Sequence, residues 1–155
     1  MSARNGKEEV TMHKILAIVL AVAIVMLCIG CPVEAADKTP AQLVKEAKAM
    51  IQEVSVNDTK KMIDSKENLI LLDVRDMQEF EEGHLLGAIN ISRGTLEFKV
   101  TMIIPDKNAK IIVYCGLDLR SPLATKIMND LGYKNAVNMI GGLPAWKEAG
   151  YPIVK

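Results

Sequence analysis

Cys115 closes a short apolar run, Ile111-Ile112-Val113-Tyr114, and opens the segment Gly116-Leu117-Asp118-Leu119-Arg120-Ser121-Pro122. A continuous apolar run of this length predicts a strand covered on both faces, which delivers the cysteine to its C-terminal end. Ser121 reads as a helix N-cap and Pro122 as a first-turn residue, so a helix starts directly behind the loop. That arrangement aims backbone N–H groups and a helix N-terminus at the sulfur. Such surroundings lower a thiol's pKa and make a thiolate available near neutral pH. Arg120 adds a fixed positive charge that can hold the loop or steer an anionic substrate. A cysteine that merely packs at a strand end is the plain alternative. The loop charge, the helix start and the strand-end position favour nucleophilic chemistry at sulfur.

Few other residues compete for a chemical role. His84 stands in a Gly83-His84 turn, and the only other histidine is His13, so a structural part is expected. No cluster of residues with metal-ligand spacing exists, and no metal site is expected. Asp73, Arg75 and Glu79 are read as fold-holding charges in a polar network near the site, since buried charge must be paired. Trp146 is read as core.

On either side of the loop, the chain alternates strand and helix. Strands are predicted at Leu69–Val74, Ile111–Tyr114 and Ala136–Met139, with a short fourth at Ala88–Ile91. Between them lie helical stretches: Asp76–Glu82, Arg93–Ile104, Ser121–Leu131 and Leu143–Ala149. Gly132 and Gly150 end the last two. Ser55-Val56-Asn57-Asp58 resembles a capping-box start for a helix through Ile63. The alternation predicts an α/β domain with a small, mainly parallel sheet flanked by helices on both faces, and sites in such sheets form at the carboxyl ends of the strands. A further helix, Thr39–Gln52, serves as a polar spacer or packs on the domain. The expected organisation is a leader over 1–36, a helical spacer over 37–51 and the folded domain over 52–155.

Composition narrows the function. The chain has 155 residues with 19 basic and 19 acidic side chains, and a zero net charge argues against a nucleic-acid binder. Three cysteines are too few for a disulfide scaffold. Ile15–Val33 is an uncharged apolar run of 19 residues, preceded by His13-Lys14 and followed by Glu34-Ala35-Ala36. This describes an export signal cut after Ala35 or Ala36. The alternatives are a lipoprotein cut before Cys31 and an uncleaved anchor, since ~17–25 residues span a bilayer. All three place the domain in the periplasm or cell envelope, with membrane contact only through an uncleaved or lipidated leader. Glu8 and Glu9 do not suit a basic leader start, which makes Met12 the alternative initiation site. After cleavage Cys115 is an unpaired cysteine in an exported protein, a candidate reactive thiol.

Three motifs in order carry a family resemblance. Asp73-Val74-Arg75-Asp76-Met77-Gln78-Glu79-Phe80-Glu81-Glu82-Gly83-His84-Leu85-Leu86-Gly87-Ala88-Ile89-Asn90 is similar to the rhodanese signature D-V-R-x-x-x-E-F-x-x-G-H-I-x-G-A-x-N. Gly141-Gly142-Leu143-Pro144-Ala145-Trp146 is similar to the second signature, G-G-x-x-x-W, and Cys115 through Ser121 falls where the family keeps its C-x-x-G-x-R-S loop. Over residues 52–155 the chain resembles single-domain exported thiosulfate sulfurtransferases. The resemblance implies a rhodanese-like fold, a catalytic Cys115, and a substrate-binding loop of Gly116, Leu117, Asp118, Leu119, Arg120 and Ser121. It implies a two-step exchange through a cysteine persulfide, from a small-molecule sulfur donor to a thiol or cyanide acceptor, with no cofactor. A monomer is expected.

Asp118 departs from the pattern, standing where the loop usually has glycine. That site calls for an unusual backbone conformation, which Asp tolerates better than most residues. A carboxylate there would also repel anionic donors and oppose a lowered thiol pKa. Leu86 replaces a common proline, a minor change. Two other functions compete: a non-catalytic sulfur carrier or partner-binding module, and a cysteine-dependent phosphatase or arsenate reductase. The latter families place five residues between cysteine and arginine, whereas four separate Cys115 from Arg120.

Overall fold

The computed structural model describes residues 37–155, together with Lys14 and Ala17. The leader, its cleavage sites, Cys28, Cys31 and the Met12 start therefore lie outside the described residues. Residues 38–155 form one unit. Among the described residues no helix is long and apolar enough to cross a membrane.

The two apolar runs singled out above become the central strands, β2 (Leu69–Asp73) and β4 (Lys110–Tyr114). Along β4 the side chains alternate between two cores, as the period of two in a strand dictates. Ile111 and Val113 enter one core, which also holds Leu72, Leu96, Val100, Ala124 and Met128. Ile112 and Tyr114 enter the other, with Leu71, Leu143 and Trp146. Fully burying one such aliphatic side chain is worth about 1.5–3 kcal/mol, so a strand apolar on both faces is held from both sides. Cys115 continues the alternation into the first core.

Five strands make one sheet, in the order β1-β5-β4-β2-β3, with every pair parallel. The remaining strands are β1 (Glu53–Val54), β3 (Ile89–Asn90) and β5 (Ala136–Met139). Parallel neighbours need crossover connections, and the helices supply them. In chain order these are α1 (Pro40–Met50), α2 (Val56–Asp64), α3 (Met77–Glu82), α4 (Leu96–Ile103), α5 (Arg120–Asp130) and α6 (Gly142–Glu148). Residues of α4 and α5 pack in the first core. Residues of α2 and α6 pack in the second. Helices thus cover both faces, as the sequence predicts.

Several boundaries differ from the sequence-based expectation. The helix expected from Arg93 begins with a single 3-10 turn, Arg93–Thr95. The helix expected over Thr39–Gln52 stops at Met50, and Glu53–Val54 adds an unforeseen edge strand beside β5. Two residues carry too weak a pattern to announce a strand; pairing with β5 decides it. Thr39 caps α1 reciprocally, its hydroxyl accepting from Gln42 N–H at 3.3 Å while Gln42 accepts from Thr39 N–H at 2.7 Å. The helix packs on α5, with Ala47 buried.

Candidate active site

The register brings three strand ends together. Val113 of β4 lies level with Asn138 of β5 and Leu72 of β2, and Tyr114 lies level with Asp73. Cys115 follows directly, with no exposed surface. Its carbonyl accepts the Leu143 N–H at 2.8 Å, from the first turn of α6. Gly142 permits that approach: its φ is +59° and a Cβ there would collide with the Cys115 carbonyl oxygen. Gly142 of the second signature is thus required by backbone packing against the cysteine, whereas a Cβ on Gly141, with φ +75°, would meet Ala145.

The helix behind the loop begins one residue earlier than expected, and this corrects the role of Ser121. The N-cap position is Leu119, whose side chain has no capping oxygen, and Ser121 falls inside the first turn. There its hydroxyl is buried and donates to Cys115 Sγ at 3.3 Å. Ser121 acts on the sulfur rather than on the helix end.

Arg120 is held by a fork. Its Nη1 and Nη2 donate to Glu79 Oε2 and Oε1 at 2.7 and 2.8 Å, with Asp76 Oδ2 at 3.6 Å. Paired N–H···O bonds of this kind fix both planes. The hydrogen bond from Arg120 holds the Glu79 carboxyl below its ordinary value, outweighing burial, and Glu79 in turn raises the Arg120 guanidinium. A Cβ on Gly116 would lie 3.4 Å from Arg120 Nη2 and 3.5 Å from Glu79 Oε1, so the bridge runs across the start of the loop. Glu79, read from sequence as fold-holding, therefore also borders the cysteine loop. Leu117 and Leu119 form the exposed part of the loop.

Asp73 and Arg75 do hold the fold. Arg75 Nε donates to both Asp73 oxygens at 2.9 and 3.0 Å, and its Nη2 to Asp73 Oδ2 at 2.6 Å and the Gly83 carbonyl at 2.8 Å. Beside them Tyr114 Oη accepts the Leu85 N–H at 3.2 Å. Desolvation, with the Asp73 charge, pushes this phenol far above its ordinary value, so it stays neutral. His84 is structural as expected, its Nδ1 donating to Phe80 O at 2.9 Å and its ring stacked on Phe80. Trp146 is buried and donates to Pro152 O at 2.9 Å.

Asp118 has φ +54°, the left-handed conformation that its position in the glycine slot suggested. Its carboxylate is not free, and this changes one expectation. Oδ2 is ion-paired with Lys48 Nζ of α1, and Oδ1 accepts from Asn138 Nδ2 at 2.8 Å. Asn138 Nδ2 also donates to Glu53 Oε1 at 2.8 Å, and Lys48 lies 3.7 Å from the same oxygen. Burial pulls the Lys48 ammonium down, but Asp118 and Glu53 more than offset it, leaving it above its ordinary value. Lys48 thus offsets the Asp118 charge, and with Glu53 the three side chains together carry one net negative charge. Lys48, Glu53 and Asn138 carry no motif; the one signal was a buried amide within the Ala136–Met139 strand.

A family model, the Rhodanese-like domain, matches residues 55–149. The chain belongs to the rhodanese-like domain family. Relatives of this rhodanese domain are named for sulfur chemistry. A Bacillus subtilis protein named as a sulfur carrier, YrkF, is 32% identical over 101 residues, which cover 65% of this chain and 54% of that protein. The rhodanese chain therefore spans about half of YrkF. The Escherichia coli thiosulfate sulfurtransferase PspE is 34% identical over 84 residues, covering 54% of this chain and 77% of PspE. Among solved structures, Rhodopseudomonas palustris RPA3614, described as a possible tyrosine phosphatase, superposes with TM-score 0.71 and 30% identity, covering 81% of this chain and all of that one.

Proposed function

We propose that the protein is a thiosulfate sulfurtransferase that works through a persulfide on Cys115. The observation that carries this reading is a buried cysteine at the end of the central strand, with the Ser121 hydroxyl on its sulfur, in a rhodanese-like domain. In the first step the Cys115 thiolate attacks the outer sulfur of thiosulfate. A new S–S bond forms, the bond between the two donor sulfurs breaks, and sulfite leaves with its electron pair. In the second step cyanide or a thiolate attacks the outer sulfur of the persulfide, and Cys115 departs as thiolate. This is covalent catalysis with ping-pong kinetics, and no general base is required. The Ser121 hydroxyl and the loop N–H groups are the donors available to a pendant sulfur anion. Because Cys115 has no exposed surface, the donor reaches it when the loop or the Arg120–Glu79 bridge gives way.

The test is a mass spectrum of the purified protein after thiosulfate treatment. One added sulfur atom on Cys115 is expected, together with conversion of thiosulfate and cyanide to sulfite and thiocyanate. Cys115→Ser should remove both, and a variant with undiminished turnover would refute the assigned nucleophile.

A second reading, phosphoryl transfer, is favoured only by the phosphatase description of the Rhodopseudomonas palustris relative. Against it stands the loop length: four residues separate Cys115 from Arg120, and the shorter loop suits one sulfur better than a tetrahedral oxyanion. Hydrolysis of an aryl phosphate should be negligible beside sulfur transfer. Robust hydrolysis would reverse the order of the two readings.

A further inference from the structure

The helix α1, Pro40–Met50, lies before the residues matched by the family model, 55–149, yet it reaches the cysteine loop. Lys48 of α1 binds Asp118, the one loop residue with positive φ, and Asp118 is additionally held by Asn138 of β5. The Asp118 side chain is 11% exposed, so this ion pair is shielded where most surface pairs are not. The same helix flanks the loop along a second line. Pro40, Leu43 and Val44 face Leu119 and Leu123 across an apolar cavity of about 290 Å³. The left-handed backbone is costly for a side-chain-bearing residue, which holds it only where the surroundings over-determine it. Here Lys48 and the Asn138 amide hold the Asp118 carboxylate directly, and Glu53 of β1 holds those two groups in turn.

We propose that Lys48 is a positioning residue for sulfur transfer: by clamping Asp118 it sets the conformation of the Cys115–Arg120 loop from outside the family's own segment. With glycine in that slot no clamp would be needed, because glycine accepts positive φ without a Cβ penalty. Lys48 and Asp118 together therefore replace the glycine. The inference rests on the sulfurtransferase reading for its turnover readout only; loop closure over the buried thiol is read separately, by alkylation with neutral iodoacetamide.

The experiment compares Lys48→Met, Lys48→Arg, Asp118→Gly and the double variant Lys48→Met/Asp118→Gly, all as the full chain and well below their melting temperatures. Lys48→Met should lower kcat at saturating thiosulfate by about three- to tenfold and quicken Cys115 alkylation by a similar factor. Lys48→Arg should recover most of both. Once Asp118 is glycine, adding Lys48→Met should change kcat and alkylation by less than about twofold. Equal losses with and without Asp118 would overturn the proposal, as would an unchanged alkylation rate in Lys48→Met. If wild type transfers no sulfur but the alkylation pattern holds, the sulfurtransferase reading falls and the clamp stands.

Discussion

Two arginine–carboxylate forks flank Gly116, and their surroundings set them apart. Asp73–Arg75 is sealed inside, the two side chains 0% and 6% exposed, and it gathers the Gly83 carbonyl as well. Glu79–Arg120 has equally short bonds, but its side chains are 37% and 36% exposed. Asp73, Arg75 and Glu79 stand in one signature, whereas Arg120 comes from the cysteine loop, 41 positions beyond Glu79. An ion pair stripped of water is costly to break, because removing one partner strands the other charge. One that water can reach opens at little cost. Similar chemistry is thus sealed from water in one place and open to it in the other, which predicts a fixed pin at Asp73–Arg75 and a latch that can open at Glu79–Arg120.

The largest expected effect tests the sealed fork. Asp73→Ala leaves the Arg75 guanidinium buried without its partner and should cost about 3–5 kcal/mol of stability, measured by urea denaturation. A loss below about 1 kcal/mol would mean that burial does not distinguish the two forks.

Glu79→Gln tests the latch. Its stability should fall by no more than about 1 kcal/mol. Released from its carboxylate, Arg120 becomes available to an anionic donor and the entrance loosens. The thiosulfate KM should fall, and Cys115 alkylation should quicken, each by roughly two- to fivefold, the equivalent of about 0.4–1 kcal/mol. A raised KM would show that the fork holds the loop in its working shape instead of closing it.

The smallest effect concerns acid. Arg120 holds the Glu79 carboxyl below its ordinary value of 4.5, so the carboxylate contributes stability above that pH in the folded state. That contribution disappears as pH falls through the lowered value. Wild type should therefore exceed Glu79→Gln in stability above about pH 4.5, with the two curves converging on further acidification. Curves that stay parallel into strong acid would remove the latch from the pH response.

Much of this was legible in the residues. The continuous apolar runs announced β2 and β4, because a strand buried on both faces has no polar side to show. The Asp118 conformation was legible too, since a carboxylate in a glycine slot implies positive φ. What occupied its oxygens was not. Lys48 lies 70 residues away in sequence, on a helix expected only to serve as a polar spacer or to pack on the domain. Ser121 misled for a related reason: serine before proline signals a cap, and only the close approach of Cys115 Sγ drew the hydroxyl elsewhere. Glu79 showed a charge without its partner, because the fork closes across 41 positions.

The order of strands has a consequence for when the site comes into being. β1, near the start of the domain, finds its neighbour in β5, so the sheet is incomplete until residue 139 has been made. The Cys115 carbonyl waits longer still, for Leu143. Folds built on such distant pairings assemble slowly. A nascent or truncated chain that already contains Cys115 and Arg120 therefore has the thiol without its setting. A chain that stops short of residue 143 cannot supply the N–H that holds the Cys115 carbonyl.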